Sequence, residues 1–206
     1  MKKILILLFA ALCLSVPKLS AQLGFDFGMD FILMNREAPS GYKAGAFGMG
    51  PYAGIIYGIP VSMSDMINVG VNYKFDIIYG APGAWDDEKK LCPMTLMNRD
   101  SDIREQHIQV PVTFNHGGGI FNLAVGPVFD YCLKSSTSYD NGKTWAFDNI
   151  KDLKMMPFNV YLKAGAGVGL KGFSFNLTAN YGLLDLSPDN SSLRRWGVGL
   201  DFHLNF

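Results

Sequence analysis

The feature of this sequence that most constrains its fold is an alternation of apolar and polar residues with a period of two. It is clearest near residue 206, where every second residue is apolar: Trp196, Val198, Leu200, Phe202, Leu204 and Phe206. The residues between them are small or polar. Because successive side chains of a β-strand face opposite ways, such a segment has one apolar face and one polar face. The pattern predicts a strand, and it recurs from residue 23 onwards.

Eight segments carry this pattern, and each is near or above the roughly 9–11 residues that cross a bilayer as a tilted strand. We predict strands at Leu23–Met34, Lys43–Ile59, Ile67–Tyr79, Ile103–Asn115, Ile120–Leu133, Phe158–Leu170, Phe173–Leu183 and Trp196–Phe206. No stretch within them is apolar for the roughly 20 residues that a transmembrane helix needs. Pro111 and Pro127 lie inside two of the patterns and have no N–H for a ladder, so we expect weaker pairing or bulges there.

The connections between these segments alternate in length. The links near 60–66, 116–119 and 171–172 are short, whereas those near 35–42, 80–102, 134–153 and 187–192 are longer. An even-stranded antiparallel barrel with tight turns at one rim and loops at the other has this alternation. The sequence therefore predicts an all-β, eight-stranded antiparallel up-and-down transmembrane barrel, with both termini at the short-turn, periplasmic rim.

The period alone does not decide which face is inside. A soluble barrel buries its apolar face, whereas a membrane barrel turns it outward. Here the polar face is mainly Gly, Ser, Asn and Thr, although a water-facing surface usually carries more long charged side chains. Tyr79, Tyr131, Tyr181 and Trp196 lie near strand ends, where membrane barrels have aromatic girdles. These features favour a membrane barrel, with a soluble exported barrel as the alternative.

Residues 1–21 have the layout of a secretory signal peptide. A positive start, Met1-Lys2-Lys3, precedes an apolar run from Ile4 to Val16 and a small-residue end. The run is shorter than a membrane-spanning helix, which argues against an anchor. We predict removal of 1–21, which leaves a barrel domain of 22–206 with 15 basic and 18 acidic residues. This balance does not suggest nucleic-acid binding.

Parity places a set of ionisable residues on the polar face, and hence inside a membrane barrel. An eight-stranded barrel is just wide enough to be filled by side chains, and a buried charge is costly unless it is paired. We therefore predict an internal polar network rather than a wide pore, with a narrow pore or proton path as the alternative. Its members are Asp26, Asp30, Lys74, Asp76, His107, Asp130, Lys163, Asp201 and His203, accompanied by Asn72 and Asn180.

The sequence does not show catalytic or metal-binding machinery. A catalytic nucleophile needs a base beside it. His116 lies in a tight turn and His203 near the periplasmic end of its strand, while His107 has no Ser and acid patterned beside it. No two histidines have metal-ligand spacing, and no helix follows Gly117–Gly119 as in a phosphate loop. We expect no enzyme activity, no cofactor and no metal.

Two cysteines, Cys92 and Cys132, follow the predicted cleavage site. The oxidising export route permits one bridge between them, and closing a loop of about 40 residues would stabilise the fold by roughly 3–4 kcal/mol. However, Cys132 falls on the interior face by parity, and Cys92 lies in the long third connection. We expect two unpaired cysteines, with a disulfide as the alternative.

The last segment resembles the sorting signal of bacterial outer-membrane barrels, with Trp196, Leu204 and Phe206 as the candidate assembly signal. Three further segments, Gly50–Gly54, His107–Val112 and Gly126–Phe129, resemble strands of the small PorT-type outer-membrane barrels of Bacteroidota. The resemblance implies the fold and an outer-membrane location. It also implies contact with outer-membrane lipid and with the barrel-assembly machinery during insertion. It implies no activity.

Three functions remain open from the sequence. The first is a structural or interaction barrel whose external loops meet an unidentified external or envelope partner. The second is an accessory component of an envelope protein-export machine, which the PorT-type resemblance suggests. The third is an outer-membrane lipid-modifying enzyme.

Overall fold

The chain folds into a closed barrel of eight antiparallel strands, as seen in a computed structural model. The structure describes residues 22–37, 43–79, 102–118, 120–138, 156–170, 172–186 and 192–206. Each strand pairs with its neighbours in sequence, and the last pairs with the first. The predicted all-β up-and-down barrel is confirmed. The strands are β1 (Gln22–Glu37), β2 (Lys43–Pro60), β3 (Asp65–Tyr79), β4 (Asp102–Gly118), β5 (Phe121–Ser138), β6 (Phe158–Leu170), β7 (Phe173–Gly182) and β8 (Ser192–Asn205).

The connections divide the barrel into two unlike ends. At one end, which we call the short-turn rim, residues 61–64, 119–120 and 171–172 join the strands. At the other, the long-connection rim, the joining residues are 38–42, 80–101, 139–157 and 183–191. The first strand begins and the last strand ends at the short-turn rim. The predicted signal peptide, 1–21, lies outside the described residues and stays a prediction.

A small polar cluster holds the first turn of the short-turn rim. The Ser62 hydroxyl donates to the Asp65 carboxylate at 2.6 Å, and the His116 Nδ1 lies 2.7 Å from the same carboxylate. These two hydrogen bonds, that of Ser62 above all, hold the pKa of Asp65 below its usual value. The turn thereby ties β3 to the end of β4.

All eight predicted strands are present, and several are longer than the sequence indicates. β5 continues to Ser138 and β8 begins at Ser192, so parts of the predicted loops are strand. β4 continues to Gly118, into the predicted turn. At these ends the outward residues are no longer apolar, so apolar and polar residues no longer alternate in the sequence. The backbone pairing nevertheless continues.

Of the two effects that the sequence predicted at Pro111 and Pro127, the structure shows weaker pairing and not bulges, and Pro51 has the same effect. Ladder pairs are skipped around Pro51 between β2 and β3, around Pro111 between β3 and β4, and around Pro127 between β4 and β5. The register is the same on both sides of each gap, because a proline removes one donor without adding a residue. A register shift does occur between Gln106 and His107, opposite an extra residue of β5.

The two faces of the barrel have opposite polarity. Side chains such as Ile55, Val71 and Leu177 are on the outer face and more than half exposed, whereas most charged side chains of the strands are buried inside. This reverses the arrangement of a soluble barrel and matches that of membrane barrels. The four predicted girdle residues, Tyr79, Tyr131, Tyr181 and Trp196, are all exposed on the outer face. Among the described residues there is no helix long and apolar enough to cross a membrane.

The interior is not polar along its whole length. Six buried apolar side chains lie together inside the long-connection rim: Met34, Ala46, Ile78, Ile103, Leu186 and Leu193. We call them the apolar layer. Their outward neighbours Asn35, Arg104 and Arg194 are polar and exposed. The predicted polar interior is therefore wrong for this end of the barrel, although the outward neighbours Phe47 and Tyr79 on β2 and β3 are still apolar and exposed.

Candidate functional site in the barrel interior

The structure places the predicted network residues inside the barrel. Asp26, Asp30, Lys74, Asp76, His107, Asp130, Lys163 and Asp201 are buried, and the His203 side chain is 11% exposed. Asn72 is buried and Asn180 is half-buried. They form three connected groups, which follow one another along the interior from the long-connection rim to the short-turn rim.

The first group is centred on His107 of β4. Its Nδ1 lies 2.9 Å from the Asp130 carboxylate, and its Nε2 lies 3.3 Å from Glu105 and 3.5 Å from Asp76. Because carboxylates only accept hydrogen bonds, this geometry suits an imidazole ring that carries a proton on both nitrogens. Arg195 of β8 reaches across to Glu105, with 2.6 Å between Nη1 and Oε2.

The second group is centred on Lys74 of β3. Its ammonium lies 2.8 Å from the Asp30 carboxylate and 3.4 Å from that of Asp76, which also belongs to the first group. The Asn180 side chain donates to Asp30 at 2.9 Å. One lysine thus links carboxylates of two non-adjacent strands, β1 and β3.

A cavity of about 30 Å³ lies beside this lysine. Since one water needs roughly 10–15 Å³ of such space, the cavity has room for about two waters. Polar side chains from several strands line it, including Asp30, Tyr52, Lys74, Tyr161, Lys163 and Asn180.

The third group surrounds Asp201 and Asp26. Lys163 of β6 forms an ion pair with Asp201, and the Tyr52 hydroxyl of β2 donates to the same carboxylate. Asp26 accepts a hydrogen bond from Asn72 at 2.7 Å and lies 3.2 Å from the His203 Nδ1. These contacts connect both halves of the barrel wall.

Interior glycines provide the space that these side chains occupy. A Cβ on Gly50 would overlap the carboxylate of Asp76 and the side chain of Lys74, and one on Gly199 would overlap Asp30. Each of these glycines lies beside the charged residue on the neighbouring strand, so the glycines that make the alternation of β2 less regular leave the space that the large charged side chains of a narrow barrel need.

The network consists largely of ion pairs that connect strands on different sides of the barrel. Glu105 and Arg195 belong to β4 and β8, which are not neighbours in the barrel. A charge buried to this degree is costly without a partner. The arrangement therefore fixes the relative positions of strands across the interior, and it fills the interior instead of opening it.

Glu105, Arg195 and Tyr52 are network members that the sequence reasoning missed. Glu105 is two residues from His107, and Arg195 is six residues from Asp201. The alternation therefore places Glu105 and Arg195 on the interior face with these predicted network residues. Arg195 was overlooked because the strand was predicted to begin only at Trp196. Tyr52 was missed because the many glycines of β2 obscure the alternation that would place it on the interior face.

The first group also has the composition of a metal site. One ligand atom each from Asp76, Glu105 and His107 lies within 4.8 Å of the others. However, Arg195 already contacts Glu105, and Lys74 already contacts Asp76. A metal ion would lie next to two fixed positive charges, so these residues fit an ion-paired cluster better than a metal centre. His107 is also poorly placed as a catalytic base, because both ring nitrogens face carboxylates.

The candidate assembly signal lies along β8, between β7 and β1. Trp196 is on the outer face, and Leu204 lies opposite both Phe25 and Phe173. The Phe206 N–H donates to the Leu23 carbonyl at 2.9 Å. The Phe206 ring packs edge-on against Phe25, with 5.7 Å between centroids. Its role in assembly stays a prediction.

Cys132 lies in the interior, as its parity predicts. It is buried, and its thiol donates to the Lys134 carbonyl at 3.4 Å. Cys92 lies outside the described residues. The state of the predicted Cys92–Cys132 pair therefore stays a prediction.

Comparison with solved structures identifies the fold. The structure of Neisserial surface protein A (NspA) superposes with a TM-score of 0.54 at 12% identity, over 88% of this chain and 97% of that one. This is the fold of the eight-stranded outer-membrane barrels. Ail of Yersinia pestis matches with a TM-score of 0.40 at 10% identity, over 89% of this chain and 99% of that one, a likeness too loose to carry an argument. No protein-family model and no curated protein matches the sequence.

Proposed function

We propose that the protein is an integral outer-membrane barrel with a structural or interaction role. The observation that carries this proposal is the reversed polarity of a closed barrel: its outer face is apolar and exposed, and its interior is filled by ion pairs. A face of this kind is stable when lipid covers it. The filled interior argues against bulk transport as its task. The partners at the membrane are outer-membrane lipid and, during insertion, the barrel-assembly machinery.

The interaction role falls to the connections at the long-connection rim. We assign this rim to the cell exterior and the short-turn rim to the periplasm, because membrane barrels have short periplasmic turns and longer outer loops. Of the two rims, only this one has connections as long as 80–101 and 139–157. The partner would be an external or envelope molecule that these connections contact.

An accessory role in an envelope export machine is the second candidate. It rests on the PorT-type resemblance of segments in β2, β4 and β5. The structure adds one observation: each segment contains a proline, Pro51, Pro111 or Pro127, at which the ladder skips pairs. The resembling residues therefore share a structural feature. A lipid-modifying enzyme has less support, because His107 is buried and engaged on both nitrogens.

Cell fractionation tests the proposal. The full-length protein carries an epitope tag inserted either between 139 and 155 or within 61–64. We expect the protein in the outer-membrane fraction, as a band that changes mobility on heating because the barrel unfolds. We expect antibody to reach the first tag on intact cells and the second only after the outer membrane is opened. Recovery of folded protein from the soluble periplasm would contradict the membrane location, and the opposite tag result would contradict the orientation.

The interaction role is tested separately by crosslinking on intact cells through the long connections. A photoreactive amino acid at a position within 139–155 is expected to capture a specific protein or polysaccharide. The same amino acid at Met63, which is fully exposed in the short turn, serves as the matched control. Capture by the Met63 variant alone would place the contact at the opposite rim and favour an accessory role in the envelope.

A further inference from the structure

We propose that the apolar layer is an ion seal, which closes the filled polar interior at the long-connection rim and leaves it accessible to water only at the short-turn rim. This goes beyond the proposed function, which requires a filled barrel in the membrane but does not require that either end be closed. The proposal rests on where the layer lies, on how one of its members is held, and on the contrast between the two ends.

The layer lies directly beyond the charged groups of the network. Ile78, Ile103 and Leu193 are each two residues from a charged interior residue of the same strand: Asp76, Glu105 and Arg195 respectively. Side chains two residues apart in a strand share a face. Each of these three apolar side chains therefore covers the next charged group on its own strand. Ile78 and Glu105 are both 0% exposed, as expected if the layer keeps water from the ion pair.

Leu186 completes the layer from outside the strands. It belongs to the connection between β7 and β8 and is 3% exposed. Its N–H donates to the Leu193 carbonyl at 2.9 Å, and its carbonyl accepts from the Met156 N–H at 2.7 Å. The neighbouring Asp185 carboxylate accepts from the Leu193 N–H at 2.8 Å. These bonds hold the connection folded inward, with Leu186 in the mouth of the barrel.

The short-turn end of the interior has the opposite character. Its inward side chains include the apolar Ile56 and Met66, but Asn115, Asn122, His203 and Asn205 beside them are polar and all partly exposed. Water can therefore enter from this end, whereas the layer lacks groups that could hydrate an ion. Transfer of a charge through an apolar constriction is unfavourable because the ion must lose its water.

Cys132 is a natural reporter for the seal. It lies opposite His107 in the β4–β5 ladder, at the level of the charged group below the layer, and is 5% exposed. A thiol reagent that enters through the long-connection rim must pass the layer to reach it. Replacing Cys92 by serine leaves Cys132 as the single thiol after the predicted cleavage.

The first experiment measures the reaction of Cys132 with a small cationic methanethiosulfonate that is added only on the side of the long-connection rim, because reagent entering at the open short-turn rim would not have to pass the layer. The folded Cys92→Ser protein is compared with the same protein carrying Leu186→Ser or Ile78→Ser. We expect at least a tenfold faster reaction in both layer variants. The matched control, Val71→Ser, is on the outer face of the same strand as Ile78 and should leave the rate unchanged. Leu186 lies outside the strands, so its replacement keeps the ladder intact, and the heat-modifiable band verifies folding.

The second experiment measures ion conductance of the same proteins in a planar lipid bilayer. We expect baseline conductance for the parent and for Val71→Ser, and a cation leak for the Leu186→Ser/Ile78→Ser double variant. The proposal is overturned if the parent conducts, or if folded layer variants leave both the Cys132 rate and the conductance unchanged. Either result leaves the membrane location standing, since that is read from fractionation.

Discussion

At the scale of single residues, the interior is governed by the cost of unpaired charge. Glu105 is 0% exposed and meets Arg195 on one side and His107 on the other. Breaking a buried ion pair typically costs about 3–5 kcal/mol, whereas removing both charges costs much less. His107 compensates Glu105 only in part, because it also faces Asp130 and Asp76.

This difference gives a residue-level prediction. Arg195→Met should lower the free energy of unfolding in lipid vesicles by about 3–5 kcal/mol, measured by urea titration. The double variant Arg195→Met/Glu105→Gln should recover most of that loss, because the buried carboxylate is gone. Arg194→Met is the matched control: Arg194 is exposed on the outer face, and its replacement should change stability by about 0.5 kcal/mol or less. Wild-type stability in the single variant would show that the ion pair has no structural role.

At the scale of strands, β8 closes the barrel, because its pairing with β1 joins the last strand to the first. Without it, backbone donors and acceptors of β1 and β7 would face lipid unpaired, which a membrane does not tolerate. Phe206 stands at its end, bonded to Leu23 and packed on Phe25.

We therefore expect Phe206→Asp to reduce the amount of folded, heat-modifiable barrel in outer-membrane fractions several-fold. Phe121→Asp provides the comparison, since Phe121 is an exposed aromatic residue at the same rim but at the start of β5. It should have a smaller effect. Equal, wild-type-like amounts in both variants would argue against an assembly signal in β8.

The same scale shows what the sequence could and could not predict. Period two was sufficient for the number, order and pairing of strands, and the bounds of β6 agree fully. It placed Asp30, Lys74 and Asp201 on the interior face, but it did not indicate which charges meet. Partners such as Glu105 and Arg195 come from opposite walls, and their contact depends on barrel closure and register. The register shift at Gln106/His107 has no sequence signal that we recognise.

At the scale of the whole molecule, the polarity of the outer and inner faces differs between two levels of the barrel. Over most of the wall the outer face is apolar and the interior is polar, as in membrane barrels. Near the long-connection rim this order is reversed in β1, β4 and β8, with Ile103 and Leu193 inside and Arg104 and Arg194 outside, whereas Phe47 and Tyr79 keep the outer face of β2 and β3 apolar. In the proposed membrane orientation, this reversal marks where these strands leave the apolar band and enter water. A prediction that the interior face is polar along the whole length of each strand therefore misses the apolar layer.

The central claim is that the apolar outer face lies in lipid, and depth-dependent fluorescence quenching tests it most directly. In a background of Cys92→Ser and Cys132→Ser, a fluorophore is attached at Leu177→Cys, in the middle of the outer face, or at Met63→Cys, in the short turn. Both proteins are folded into vesicles that contain phospholipids brominated on the acyl chains. We predict strong quenching at position 177 and little at position 63. Equal, weak quenching at both positions in the folded protein would contradict it.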